Sequence, residues 1–215
     1  MLALPSLAFS LLLSSSAPEA PPPALAEDAM APAGSFTGGR EPCRPDVGNV
    51  RFDGEEDAAI TSRLAELFAA DQEARSHGLG AENGWERIDL EDGQRRVEVM
   101  AWLVQGKIRR AESLYQAAMI FQHGNCPAHF QLTADLAERA GQLDYPRARW
   151  LYAAAIDRYL MNLGKPQKYG TQFTNTADGR WRLYEVDPAV DNAERARYGV
   201  PPLAEARKKA KQLNQ

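Results

Sequence analysis

The chain has 215 residues, 29 acidic against 25 basic for a formal net charge of −4, and 44% of it is hydrophobic. Acids and bases are mixed, and the one basic run, Arg207, Lys208, Lys209 and Lys211, suits a solvated helix end. That excludes the basic stripe a nucleic-acid partner needs.

In chain order, residues 2–13 (LALPSLAFSLLL) form an apolar run too short to span a bilayer, followed by a Pro-rich stretch and Ala24-Leu25-Ala26. Residues 1–26 are therefore expected to be a secretory signal cleaved after Ala26, although no Lys or Arg precedes the apolar run. A disordered N-terminal tail is the alternative. The mature protein is expected to be periplasmic or secreted, with no membrane span. Residues 27–50, rich in Pro, Gly and small residues, read as a disordered linker, and residues 51–215 as one domain. In an exported chain the only two cysteines, Cys43 and Cys126, are candidates for a disulfide worth about 3–4 kcal/mol in the chain-entropy view. Two independent cysteines are the alternative.

The domain reads as mainly α. Ile60, Leu64, Leu67 and Phe68 have helical spacing within 55–76. Residues 79–89 read as a loop containing Trp85. Val97, Val99, Met100, Leu103 and Val104 define a helix over 90–105, stopped by Gly106. Further helices are expected at 110–123, at 127–141 with Pro127 in its first turn, and at 146–163 with Gly164 after it. Strand-like residues over 170–186, turning at Asp178-Gly179, predict one β-hairpin, followed by two short helices at 188–198 and 202–213. SLYQAAMI (113–120) and WLYAAAID (150–157) echo each other 37 residues apart. The fold class expected is a repeat-like bundle of helical hairpins with one small β-hairpin near the C-terminus.

Three places carry candidate chemistry. Asp157 shares its helix face with Trp150, Ala153, Ala154, Leu160 and Met161, so its carboxylate needs a partner. That partner is a cation, a ligand or the backbone amides of the 164–172 loop. Arg158, on the edge of the same helix, either faces solvent or reaches back toward the loop, where a guanidinium beside a buried acid would suit an anionic ligand. In FQHG (121–124), His123 ends a helix and is a candidate acid or base, or else a simple cap; Gln122 beside it is a candidate hydrogen-bonding residue. The loop GKPQKYGTQ (164–172) presents Lys165, Gln167, Lys168, Tyr169, Thr171 and Gln172 from a segment stiffened by Pro166. Amides and a phenol make a hydrogen-bonding surface for a sugar, a peptide amide or a nucleoside, or they satisfy nearby backbone groups.

No serine or cysteine nucleophile motif, phosphate loop or dinucleotide fingerprint occurs, so no cofactor is expected. The three histidines, His77, His123 and His129, are scattered, and no metal site is expected.

Those motifs resemble a bacterial family of unknown function marked by Q-H-G, then D-R, then G-K-P-Q-x-Y-G-T-Q. The match runs from about Ala111 to Tyr198, and it extends to DQEAR at Asp71–Arg75, since D-Q-x-x-R is often found near the start of such chains. The resemblance implies that His123, Asp157, Arg158, Gln167, Tyr169 and Gln172 belong together, and it implies no activity. Two functions are therefore expected. One is a polar ligand or substrate site, with His123 and Asp157 as candidate catalytic residues and Gln122, Arg158, Lys165, Gln167, Tyr169, Thr171 and Gln172 as ligand-binding candidates. The other is a cell-envelope interaction module whose motifs form a structural polar network. N-terminal sequencing of the exported protein is expected to begin at Glu27.

Overall fold

A computed structural model describes residues 47–76 and 84–215. The expected signal sequence, residues 27–46 of the expected linker, His77 and Cys43, and with it the Cys43–Cys126 pairing, lie outside the described residues. The end of the expected linker is placed. A 3-10 turn runs over Val47–Asn49, Val50 packs against the core, and the N–H of Arg51 donates to the Leu103 carbonyl at 3.0 Å.

The protein is mainly helical, with helices α1 (Ala58–Ser76), α2 (Gly84–Val104), α3 (Ala111–Gln122), α4 (Pro127–Gln142), α5 (Arg147–Asn162), α6 (Asn192–Arg197) and α7 (Leu203–Gln212). A small antiparallel hairpin, β1 (Phe173–Asn175) and β2 (Trp181–Leu183), lies between α5 and α6, with Phe173 opposite Leu183 and Asn175 opposite Trp181. Trp85, expected in a loop, lies in the first turn of α2. Val97, expected on an apolar face, is 60% exposed. Among the described residues no helix is long and apolar enough to cross a membrane.

The centre of the molecule is α3. From Ser113 to Gln122 every residue is buried, and α1, α2, α4 and α5 all touch it. A helix that is apolar nearly all round can be stable in water only with neighbours on every side. Leu114, Met119, Ile120 and Phe121 meet Leu64, Val99, Leu103, Leu136 and Leu151 in one core. Each fully buried large side chain there contributes about 1.5–3 kcal/mol. The two echoing segments lie on α3 and α5, and both bury their Leu-x-x-Ala-Ala pattern: Leu114, Ala117 and Ala118 in one, Leu151, Ala154 and Ala155 in the other. Alanines there let helix backbones approach closely.

Helix ends follow from local sequence. Asp57 accepts from the N–H groups of Ala59 and Ile60 and starts α1, and Asp191 accepts from Glu194 N–H and starts α6. At the other ends, α2, α4, α5 and α6 close with one left-handed residue after the cap: Gly106, Asp144, Gly164 and Gly199. In α5 the paired bonds are Gly164 N–H to Met161 O at 2.9 Å and Lys165 N–H to Leu160 O at 3.0 Å, the pattern of a Schellman turn. Helix α3 ends differently. Gly124 is not left-handed, and its N–H bonds Phe121 O at 2.9 Å. A Cβ on Gly124 would lie 2.5 Å from the His129 ring, so only glycine lets α4 start this close to α3. The replacement Gly124→Ala is expected to destabilise the protein by about 1–3 kcal/mol, the range of core overpacking, measured by urea unfolding.

Candidate functional site

The GKPQKYGTQ loop is built around two buried side chains. Asp157, on α5 and fully buried, accepts four hydrogen bonds: from the N–H groups of Lys168 (2.8 Å), Tyr169 (2.7 Å) and Thr171 (2.9 Å), and from Thr171 Oγ1 (2.8 Å). Gly170, at φ +81°, turns the chain so that the N–H groups on either side of it both reach that carboxylate. Burial, the largest influence, raises the Asp157 carboxyl above its ordinary range despite these four bonds. Gln167, also fully buried, accepts from Gln172 N–H at 2.9 Å and donates through Nε2 to the carbonyls of Gln172 and Tyr184, both at 2.9 Å. Its backbone makes an isolated parallel bridge to Val186, in the segment after the hairpin, with Gln167 N–H to Glu185 O and Asp187 N–H to Gln167 O, each 2.8 Å.

Arg195 of α6 meets the loop from the other side. Its guanidinium, fully buried, donates to the carbonyls of Tyr169 and Val190. Burial lowers its pKa, and the charge of Asp157 opposes that fall. Tyr169 packs at a tilt against Tyr198, 4.9 Å away, which stacks in turn on Tyr152 at 5.2 Å. Lys168 Nζ sits 4.8 Å from the Tyr169 ring centre and 3.6 Å from Glu194. Lys165 is exposed.

Arg158 is half-buried and reaches back toward the loop. It donates through Nε to Gln172 Oε1 at 3.2 Å and through Nη1 to the Gln122 carbonyl at 2.7 Å. From α2, Arg96 donates to the His123 carbonyl at 3.1 Å. Two guanidiniums thus take the last carbonyls of α3, where the helix dipole favours cations.

His123 is 9% exposed, and its ring meets a carboxylate that the sequence reading did not pair with it. Nδ1 lies 3.0 and 2.9 Å from the two oxygens of Asp71, a fully buried residue of α1. Asp71 in turn accepts from Gln72 Nε2 at 2.8 Å and Arg75 Nη1 at 3.0 Å. Arg75 continues to Asp92, which accepts from Arg95 at 2.6 Å, and Arg95 reaches Glu91 at 3.0 Å. Burial pushes Asp71 up most strongly, but His123 and then Arg75 together outweigh it and hold the carboxyl below its ordinary 3.8. At Asp92 burial prevails over Arg75, and the carboxyl lies above its ordinary value. His129, on α4, accepts from Asn125 N–H at 3.4 Å, and burial followed by the Arg96 charge pushes its imidazole down to about 4.

The structure therefore joins the motifs through the end of α3. His123 and Asp157, the candidate catalytic pair, belong to different clusters: one bonds Asp71, the other bonds the loop. Gln122, Arg158 and Gln172 link the two. Asp92, Arg96, His129 and Arg195 were missed from sequence; of these clusters only DQEAR at Asp71–Arg75 gave a signal. Among the described residues two side chains keep buried polar atoms without a hydrogen-bond partner: Arg195 at Nε, and Gln122, 1% exposed, at both Oε1 and Nε2.

No family model matches the chain, and neither a curated protein nor a solved structure matches it.

Two outcomes follow from these bonds. Asp157→Asn offers one acceptor oxygen where four donors converge, and is expected to cost about 1–3 kcal/mol for each donor left unmatched, measured by chemical denaturation. Asp71 has a folded pKa below its ordinary 3.8, so its stabilisation is complete above that value and is lost as pH falls through the folded one. The stability difference between wild type and Asp71→Asn is therefore expected to shrink below about pH 4, followed by urea unfolding across acidic pH.

Proposed function

We propose that the protein is an exported helical protein with a small polar-ligand or substrate site at the closing turn of α3, centred on His123. The observation that carries this reading is the pairing of His123 Nδ1 with both oxygens of Asp71, at 3.0 and 2.9 Å, while Arg75 and Gln72 hold the carboxylate in place. A carboxylate at Nδ1 fixes the ring's orientation and tautomer and places acid–base chemistry at Nε2. His123 is the residue for proton transfer or for bonding a ligand. Asp71 is its positioning residue.

Asp157, by contrast, acts as a strut. Its two oxygens take four donors from the chain, so it holds the loop in shape. The loop residues Gln167, Tyr169, Thr171 and Gln172 are held with it, and Arg158, bonded to Gln172, fixes the Gln122 carbonyl beside His123. The grouping implied by the resemblance to the Q-H-G, D-R and GKPQxYGTQ family is consistent with this division of roles.

A second reading has a specific observation in its favour. The polar atoms of Asp157 and Gln167 are matched within the chain itself, as they would be in a cell-envelope interaction module whose motifs are structural. A thermal-shift screen of cell-envelope metabolites against wild type, His123→Gln and Asp71→Asn separates the two. The site reading expects a compound that raises the wild-type melting temperature by about 5 °C at saturation and loses that effect in folded His123→Gln. A screen without any shift, with both variants simply melting early, favours the structural module.

A further inference from the structure

Resting on that site, we infer that Gln122 is its recognition residue and reads the donor–acceptor edge of a neutral primary carboxamide or lactam. Gln122 lies in the last turn of α3, next to His123. Its position is fixed from the backbone, because its carbonyl accepts from Arg158 at 2.7 Å. Yet its side-chain oxygen and nitrogen are both buried and both unpartnered.

The other two glutamines of the motifs show what a structural amide looks like in this protein. Gln167 makes three side-chain bonds, and Gln172 makes two, accepting from Arg158 at 3.2 Å and donating to Thr171 Oγ1 at 2.9 Å. Buried polar groups are normally matched in this way, and each one left unmatched costs about 1–3 kcal/mol. A leucine or methionine at 122 would fill the same space without that penalty. An amide held here against its own solvation is suited to a partner that arrives from outside the chain.

Its chemistry restricts that partner. A glutamine amide presents an acceptor and a donor side by side in one plane. The group that completes both must offer a donor and an acceptor on the same side, as a primary carboxamide or the lactam edge of a nucleobase does. A trans peptide bond points them in opposite directions. Charge narrows the class further. The guanidiniums of Arg96 and Arg158 are engaged with the carbonyls of His123 and Gln122, and Asp71 and the end of the α3 dipole add negative potential. An anion would meet that potential, and a cation would meet the two arginines, so a neutral group fits best.

The test uses the mature protein with propionamide, uracil and propionate as probes, in saturation-transfer NMR and in side-chain amide spectra. Propionamide or uracil is expected to saturate from the wild type and to move the Gln122 NH2 resonance, while propionate does neither. Gln122→Met, close to isosteric, is expected to bind the active probe at least tenfold more weakly. Without any probe it is expected to melt about 3 °C or more above wild type. Three results overturn the inference: a Gln122→Met melting temperature at or below wild type, equal binding of the active probe by both proteins, or propionate binding as well as propionamide. The two levels of the reading fail separately. If His123→Gln loses the screening hits while Gln122→Met keeps them, the site stands and this role of Gln122 falls. If neither variant alters them, the site itself falls.

Discussion

The arrangement depends on the burial of a helix end. Carbonyls at the C-terminus of α3 have no helical partners, and this end lies inside the molecule, away from the water that would serve an ordinary surface helix. A left-handed turn, used by α2, α4 and α5, would carry the chain outward; here Gly124 leads within three residues into α4. The carbonyls are met instead by guanidiniums, Arg96 from α2 and Arg158 from α5. Those two contacts tie together helices distant in sequence, and through Gln172 the second of them reaches the GKPQKYGTQ loop.

Asp157 and Arg158 show how two adjacent residues divide this work. Successive helical side chains point about 100° apart, so one can reach sideways to α3 while its neighbour faces the loop. The loop lies between opposite charges, its N–H groups on Asp157 and a carbonyl on Arg195. The two ions need not touch, because the peptide units between them are polarised by both. This also explains how a guanidinium can be fully buried without a direct carboxylate partner.

Much of the fold was legible because most helices bury an apolar stripe. Helix α4 was expected at 127–141 and spans Pro127–Gln142, and Gly164 closes α5 as its position suggested. The opening of α2, residues 84–89, was not legible, because Ile88 is its one buried residue, and the buried face that follows it, Asp92, Arg95 and Arg96, is charged. An inner face made of ion pairs leaves no hydrophobic period to read. The same cause hid the partners of the site. Asp157 was conspicuous as a lone acid on an apolar face, and the loop amides were among the partners weighed for it. His123 could be singled out, but its pairing with Asp71 depends on how α1 packs against α3, 52 residues apart in sequence. Whether an amide is matched, as in Gln167, or unmatched, as in Gln122, is a property of three-dimensional neighbours alone.

The C-terminal end has its own consequence. Asn214, just beyond α7, accepts from Trp181 N–H at 2.7 Å and donates back to Trp181 O at 2.8 Å. Its side-chain amide imitates the peptide of a third strand along the outer edge of β2. A two-stranded hairpin is marginal by itself, and an open edge invites pairing with another chain. One side chain therefore serves as an edge guard: Asn214 occupies the outward-facing polar groups of Trp181 that another strand would otherwise pair with.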